Sequence, residues 1–153
     1  MDCAAAPFVL LGADGRSLSA IATYPFTDNL GQVARFELGE GIVGWAAQRR
    51  KLVSVAEATK DRRFKTLGLA YAPRSCLVMP LESPQRLVGA LTLDRREVQP
   101  FTSIEQALMR IIASQAAISI EHARIYTAQR AQLGEAATPK TEVEPANEQI
   151  GEL

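Results

Sequence analysis

Between Phe36 and Ala47 the chain reads Phe-Glu-Leu-Gly-Glu-Gly-Ile-Val-Gly-Trp-Ala-Ala, and this run leaves the backbone few choices. Gly39, Gly41 and Gly44 fall within six residues, and glycine clusters where the chain must take positive φ or approach something closely. Gly39 and Gly41 lie where an alternating segment, 33–38, meets an apolar helical one, 42–50, so a strand is expected to reverse there into a helix. Gly44 lies inside that helix, where Gly costs about 1 kcal/mol relative to Ala. Close packing against other backbone is the expected reason for it. Gln48-Arg49-Arg50-Lys51 then places cations at the negative end of the helix dipole.

The rest of the chain alternates with a strand period. Residues 8–11 form a short apolar run, Ala13-Asp14-Gly15-Arg16 is a turn signal, and 17–24 puts Leu18, Ala20, Ala22 and Tyr24 on one side. These two segments predict a hairpin. A polar loop is expected over 25–32, a third strand over 33–38 and a fourth over 52–56. Residues 57–74 are the least regular, a polar loop followed by Phe64, Leu67, Leu69 and Tyr71 around Gly68. Segments 75–81 and 87–94 are dense apolar strands joined by Glu82-Ser83-Pro84-Gln85-Arg86. Thr102-Ser103-Ile104-Glu105 fits a capping box, and helical periodicity continues to about Arg130. About six mostly hairpin-connected strands, short helices and one long helix make the chain α+β.

The long helix carries two apolar rows. Ile104, Leu108, Ile111, Ile112, Gln115, Ile118, His122, Ile125 and Tyr126 form the first, expected to lie on the sheet. Met109, Ala113, Ala116, Ile120 and Ala123 form a second, smaller one. It could pack on another helix of the same domain; the chain offers no other long helix, so a homodimer seam is the preferred reading.

Hydrophobic residues are 47% of the chain, enough for a core, and 17 Lys+Arg balance 17 Asp+Glu. Zero net charge argues against nucleic acid as a main partner. There is neither a membrane-length apolar run nor a signal peptide pattern. Cys3 and Cys76 stand in no metal or redox spacing, so a reduced cytoplasmic protein with free thiols is expected. One domain is expected over 1–133. Residues 134–153, dominated by Glu, Pro, Thr, Ala and Asn, read as a flexible linker or tail.

A family resemblance rests on six motifs in order: Leu38-Gly39-Glu40-Gly41-Ile42-Val43-Gly44, Asp61-Arg62-Arg63-Phe64, Met79-Pro80-Leu81, Val88-Gly89-Ala90-Leu91, Pro100-Phe101-Thr102 and Ala123-Arg124-Ile125-Tyr126. Together they resemble the GAF domain, a sensory and dimerising module of signalling proteins, over about residues 6–130. The resemblance implies a GAF-type, PAS-like antiparallel sheet of about six strands with the long C-terminal helix packed on one face. Middle loops would roof a small-molecule pocket on the other. Family members usually open with an amphipathic helix, which here is missing ahead of the first strand. The chain is therefore expected to be a piece of a longer signalling protein or to begin unusually.

No catalytic set stands out. The single His122 lies on the long helix and reads as a core or interface residue. Catalytic members of the family, the free methionine sulfoxide reductases, carry pocket cysteines. Here none follows the Gly-Glu-Gly turn or falls within 65–75, and Cys76 reads as a buried strand thiol. The Cys-His pair of bilin-binding members is absent, His122 is poorly placed as a haem ligand, and of the cyclic-nucleotide pattern only Phe101 is kept, so no cofactor is expected. Glu40 in the glycine turn discourages an anion there. Pocket walls would come from Phe36, Trp45, Phe64, Tyr71, Arg74, Cys76 and Thr92, although the aromatics serve equally well as core anchors. Lys60, Arg62, Arg63 and Lys65 read as a solvated loop. The resemblance thus implies a non-catalytic regulatory domain that binds a small ligand and reports to an output domain through its helix and a homodimer. A dimerisation module without a functional pocket is the alternative, and a sulfoxide reductase a distant third.

Overall fold

The computed structural model describes residues 4–24, 35–65 and 72–134. The chain divides into two compact units, 1–118 and 119–153. The first holds six strands, β1 (Phe8–Leu11), β2 (Ser17–Ala22), β3 (Arg35–Glu37), β4 (Val53–Val55), β5 (Ser75–Glu82) and β6 (Leu87–Arg95). Helix α1 (Gly41–Arg49) follows β3, a 3-10 turn covers Ala58–Lys60, and α2 (Ser103–Gly134) begins in the first unit. Of the second unit, the described residues are the helical ones up to 134, with Ile125, Tyr126 and Leu133 exposed. The helix thus runs about one turn beyond Arg130, and the expected tail from 135 onward lies outside the described residues.

All six expected strands form. They make one antiparallel sheet in the order β3-β2-β1-β6-β5-β4. The hairpins β1–β2 and β5–β6 follow from local turn chemistry: Asp14 Oδ1 accepts the N–H groups of Arg16 and Ser17, both at 3.0 Å, an Asx-type turn, and the Ser83 N–H donates to Arg86 O at 2.9 Å. The β1–β6 pairing joins the two halves across most of the chain, with Val9 opposite Ala90 and Leu10 opposite Gly89.

The Gly-Glu-Gly turn does what its composition demands. Gly39 and Gly41 take φ of 86° and 66°, and the Glu40 side chain accepts the Glu37 N–H at 2.9 Å. Gly44 marks a close approach. A Cβ there would sit 2.3 Å from the Glu37 carbonyl oxygen, and the Gly39 N–H donates to Gly44 O at 2.8 Å. Helix α1 is thereby locked onto the end of β3. It buries Ile42, Val43, Ala46 and Ala47 in a core that includes Val9, Leu18, Phe36, Val53, Cys76, Val78 and Ala90.

The other face of the sheet presents Leu77, Met79, Leu81, Leu91 and Leu93, all buried. On the α2 side, Met109, Ala113 and Ala117 are buried, and a cleft lined by both Met79 and Ala113 places the helix on this face. This reverses the expected assignment of the two helix rows. Ile104, Leu108, Ile111, Ile112 and Ile118 are exposed, at 41–71%. Met109 and Ala113 are therefore unavailable as a dimer seam; Ala116 and Ile120 are half-buried and Ala123 is exposed. The leucine face already fills the space that isoleucines would need, and alanines let the helix backbone come close. The apolar bulk that identified the first row as core is what keeps it outside.

The start of α2 carries the expected cap. The Thr102 N–H donates to Glu105 Oε2 at 2.8 Å, and the Glu105 N–H donates to Thr102 Oγ1 at 3.2 Å. Thr102→Ala is expected to cost about 1 kcal/mol in urea unfolding. An unchanged midpoint would show that the tertiary clamps on this end suffice without the cap.

Candidate functional site

On the α1 side of the sheet, the strand register sets Cys76 opposite Asp94 and Val78 opposite Thr92, which brings four side chains to one face. They line a cavity of about 20 Å³ together with Phe36, Ile42, Val43, Phe64, Lys65 and Pro73. Phe36 comes from β3, Ile42 and Val43 from the first turn of α1, and Phe64 and Lys65 from the loop after the 3-10 turn.

That loop is held by more than solvent. The Arg63 guanidinium donates to both oxygens of Asp61, Nε to Oδ1 at 2.9 Å and Nη2 to Oδ2 at 2.7 Å. Its central carbon lies 4.4 Å from the centre of the Trp45 ring. Asp61 Oδ1 also accepts the Arg63 N–H at 2.8 Å, and the Phe64 N–H reaches Asp61 O at 3.0 Å. The Asp-Arg-Arg-Phe motif is thus a clamped turn that sets Phe64 over the cavity, where a solvated basic loop was expected. Lys65 Nζ pairs with Glu40 Oε1, so the turn carboxylate and the loop ammonium satisfy each other.

Of the seven expected pocket residues, Phe36, Phe64, Cys76 and Thr92 line the cavity. Trp45 is not among its lining residues. It packs half-buried against the core beneath Arg63. Arg74 is exposed and contributes backbone bonds, its N–H to Arg95 O at 2.8 Å and its carbonyl accepting from Ala58 at 2.7 Å. Tyr71 lies outside the described residues. Ile42, Val43, Lys65, Pro73, Val78 and Asp94 line the cavity without having been singled out. The period of two would have found Asp94, because it must share the face of Thr92 two residues before it.

The electrostatics of the cavity are set by burial. The Asp94 carboxyl is pushed up to about 7 because burial penalises its charged form. The Cys76 thiol is pushed up to about 12, first by burial and then by the charges of Asp94 and Asp61. At neutral pH it is a protonated thiol and a poor nucleophile. Among the described residues no group of three or more His, Cys, Asp or Glu is placed to hold a metal ion, and His122 is exposed.

The far side of β6 meets the helix. Arg95, one residue beyond Asp94, donates from Nη1 to the carbonyls of Gln99 at 3.2 Å and Pro100 at 3.1 Å, pairs through Nη2 with Glu105, and lies over the Phe101 ring at 4.1 Å. Opposite it, Ser75 Oγ lies 2.7 Å from Ala56 O and 2.9 Å from Glu97 O, donating its one proton between them, and accepts the Gln99 N–H at 2.8 Å. Alternate residues of one strand therefore face the cavity and grip the start of α2.

The family model for the GAF domain matches residues 3–120. The chain belongs to the GAF domain family. Its fold is similar to the GAF domain of a phosphoenolpyruvate-protein phosphotransferase from Coxiella burnetii, with TM-score 0.75, 23% identity and coverage of 82% of this chain and 76% of that one. It is similar to the GAF domain of a two-component sensor histidine kinase from Bacillus halodurans, with TM-score 0.69, 19% identity and coverage of 83% and 87%. A free methionine-R-sulfoxide reductase from Neisseria meningitidis, solved with its substrate, matches at TM-score 0.62 and 20% identity over 79% of this chain and 71% of that one. Signalling proteins and enzymes thus both occur among the structures sharing this GAF fold. No curated protein sequence matches the chain. No helix among the described residues is long and apolar enough to cross a membrane.

Proposed function

We propose that this GAF domain is a non-catalytic sensory module of a cytoplasmic signalling or transcription-regulatory protein. It takes a small ligand into the cavity above β5 and β6 and reports through α2 and a homodimer to an output domain. The observation that carries this reading is the division of labour on β6, where Thr92 and Asp94 face the cavity while Arg95 holds Gln99, Pro100, Phe101 and Glu105 at the start of α2. A ligand that displaces Asp94 works directly on the residue gripping the helix. It can bias α2 only by its differential affinity for two states, so about 1–3 kcal/mol is the expected coupling. The protonated Cys76 thiol supports the non-catalytic part. A dimerisation module without a functional pocket is favoured by one observation, the small cavity volume of about 20 Å³.

Native mass spectrometry of the chain purified from its own cells tests the reading, with a bound small molecule expected. Hydrogen exchange with and without that molecule should then show protection over 57–65 and a change over 95–108. Protection confined to 57–65 would leave a passive binder and sink the relay.

For the homodimer, the exposed row Ile104, Leu108, Ile111, Ile112 and Ile118 replaces the small-residue row as the seam we propose. Ile111→Asp with Ile118→Asp is expected to convert a dimer into a monomer of unchanged melting temperature in analytical ultracentrifugation. A monomeric unmodified chain overturns the seam.

A further inference from the structure

Two side chains at the cavity are polar, buried and unused. Thr92 and Asp94 are 2% and 1% exposed, and neither Thr92 Oγ1 nor Asp94 Oδ2 has a hydrogen-bond partner among the described residues. Buried polar atoms are nearly always paired, and an orphan carboxylate oxygen is among the more expensive exceptions. The neighbouring cations are engaged elsewhere. Lys65 pairs with Glu40, Arg63 pairs with Asp61, and Arg95 donates to Gln99, Pro100 and Glu105. The fold therefore carries a carboxylate and a hydroxyl to an apolar cavity walled by Phe36, Ile42, Val43 and Val78, with no cation among the described residues bonded to the carboxylate.

Resting on the ligand-binding reading above, we propose that the cavity recognises a small primary amine. Its ammonium donates to Asp94 Oδ2 and Thr92 Oγ1, and its apolar body lies against the aliphatic and aromatic walls. The choice follows from what each ligand class can offer. Above pH 7, where the buried Asp94 carboxyl is mostly ionised, it only accepts hydrogen bonds, so the missing partner there is a donor. An ammonium supplies several donors and the counter-charge together, whereas water or an alcohol supplies donors alone. A carboxylate or phosphate ligand would set like charge against Asp94. A hard divalent cation needs more oxygens than this site gathers among the described residues. The space, about 20 Å³ and partly open to solvent, holds one or two water-sized groups, which suits an ammonium and its first methylene. Bulkier portions must lie toward Phe64 and Lys65, the more exposed members of the lining.

The test uses three probes of matched length, n-butylamine, 1-butanol and butyrate, titrated at pH 7.5 into the isotope-labelled chain and followed by amide chemical shifts. Butylammonium is expected to move the Val78, Thr92 and Asp94 resonances saturably, at least tenfold more tightly than butanol, with no shift from butyrate. Asp94→Asn should weaken the amine at least tenfold while its spectrum stays dispersed; Thr92→Val, which keeps the carboxylate, should weaken it less. Tighter or equal binding of butanol or butyrate at those resonances overturns the amine assignment and leaves a ligand-binding pocket standing. Amine shifts confined to other surfaces, or undiminished in Asp94→Asn, overturn it as well. Silence from all three probes overturns it too. If native mass spectrometry also finds no carried molecule, the sensory reading falls with it.

Discussion

Asp94→Asn should stabilise the free chain by about 2–4 kcal/mol at pH 8 and by no more than about 1 kcal/mol near pH 4.5. Burial pushes the Asp94 carboxyl from its ordinary 3.8 up to about 7. In the unfolded chain the group ionises near pH 4, so the folded state holds its proton more tightly. The contribution of Asp94 is therefore complete below about pH 4 and is lost as the pH rises to about 7. Each tenfold change in proton affinity is worth about 1.4 kcal/mol, which sets the upper end of the expected gain. An asparagine has no charge to desolvate, so the variant escapes the penalty. The carboxylates held low by local partners, Asp14, Glu40, Asp61 and Glu105, act in the opposite sense. Their contributions are present above about pH 4 and lost below it, outside the window where Asp94 titrates. Urea unfolding of both chains from pH 4.5 to pH 8.5 isolates the difference. A difference that does not grow with pH would mean that the folded chain already supplies Asp94 with a counter-charge.

Gly89→Ala should cost about 3 kcal/mol or more. A Cβ at Gly89 would stand 2.1 Å from the Val9 carbonyl oxygen, 3.1 Å from Val9 C and 3.0 Å from Leu10 Cα. All three are backbone atoms of the neighbouring strand, so no side-chain rotation relieves the clash. β1 must move away from β6, and with it the pairing that joins β3-β2-β1 to β6-β5-β4. Overpacking of a fixed core typically costs about 1–3 kcal/mol, and here hydrogen bonds of the central ladder are lost in addition. Against a total stability of about 5–15 kcal/mol, such a loss is a large fraction. Gly134→Ala is the control, because a Cβ there meets nothing. Equal melting temperatures for Gly89→Ala and the unmodified chain would show that the strands separate at Gly89 without cost.

The sequence by itself determined what depends on neighbours a few residues away. Alternation and short apolar runs bounded by turn residues marked all six strands, Gly39 and Gly41 marked the reversal into α1, and Thr102 with Glu105 marked the start of α2. Each is a signal written within one turn or one strand, where backbone sterics and local hydrogen bonds dominate. Phe36, Cys76 and Thr92 could be placed around one cavity because each follows from a strand already located, while Phe64 was placed there only by the motif resemblance.

Tertiary structure alone decided three things. The first is the β1–β6 ladder, whose partners are far apart in sequence and whose only local trace is the missing side chain of Gly89. The second is the face of α2 that packs: periodicity finds two apolar rows, but the space left by Leu77, Met79, Leu81, Leu91 and Leu93 chooses the smaller one. The third is the fate of the charged groups. Arg63 is drawn onto Trp45 and Asp61, and Asp94 is left with an unpaired oxygen in an apolar cavity. Hydrophobic pattern is a property of the segment, while complementarity of shape and charge is a property of the surface it meets, and that surface is assembled only when distant segments come together.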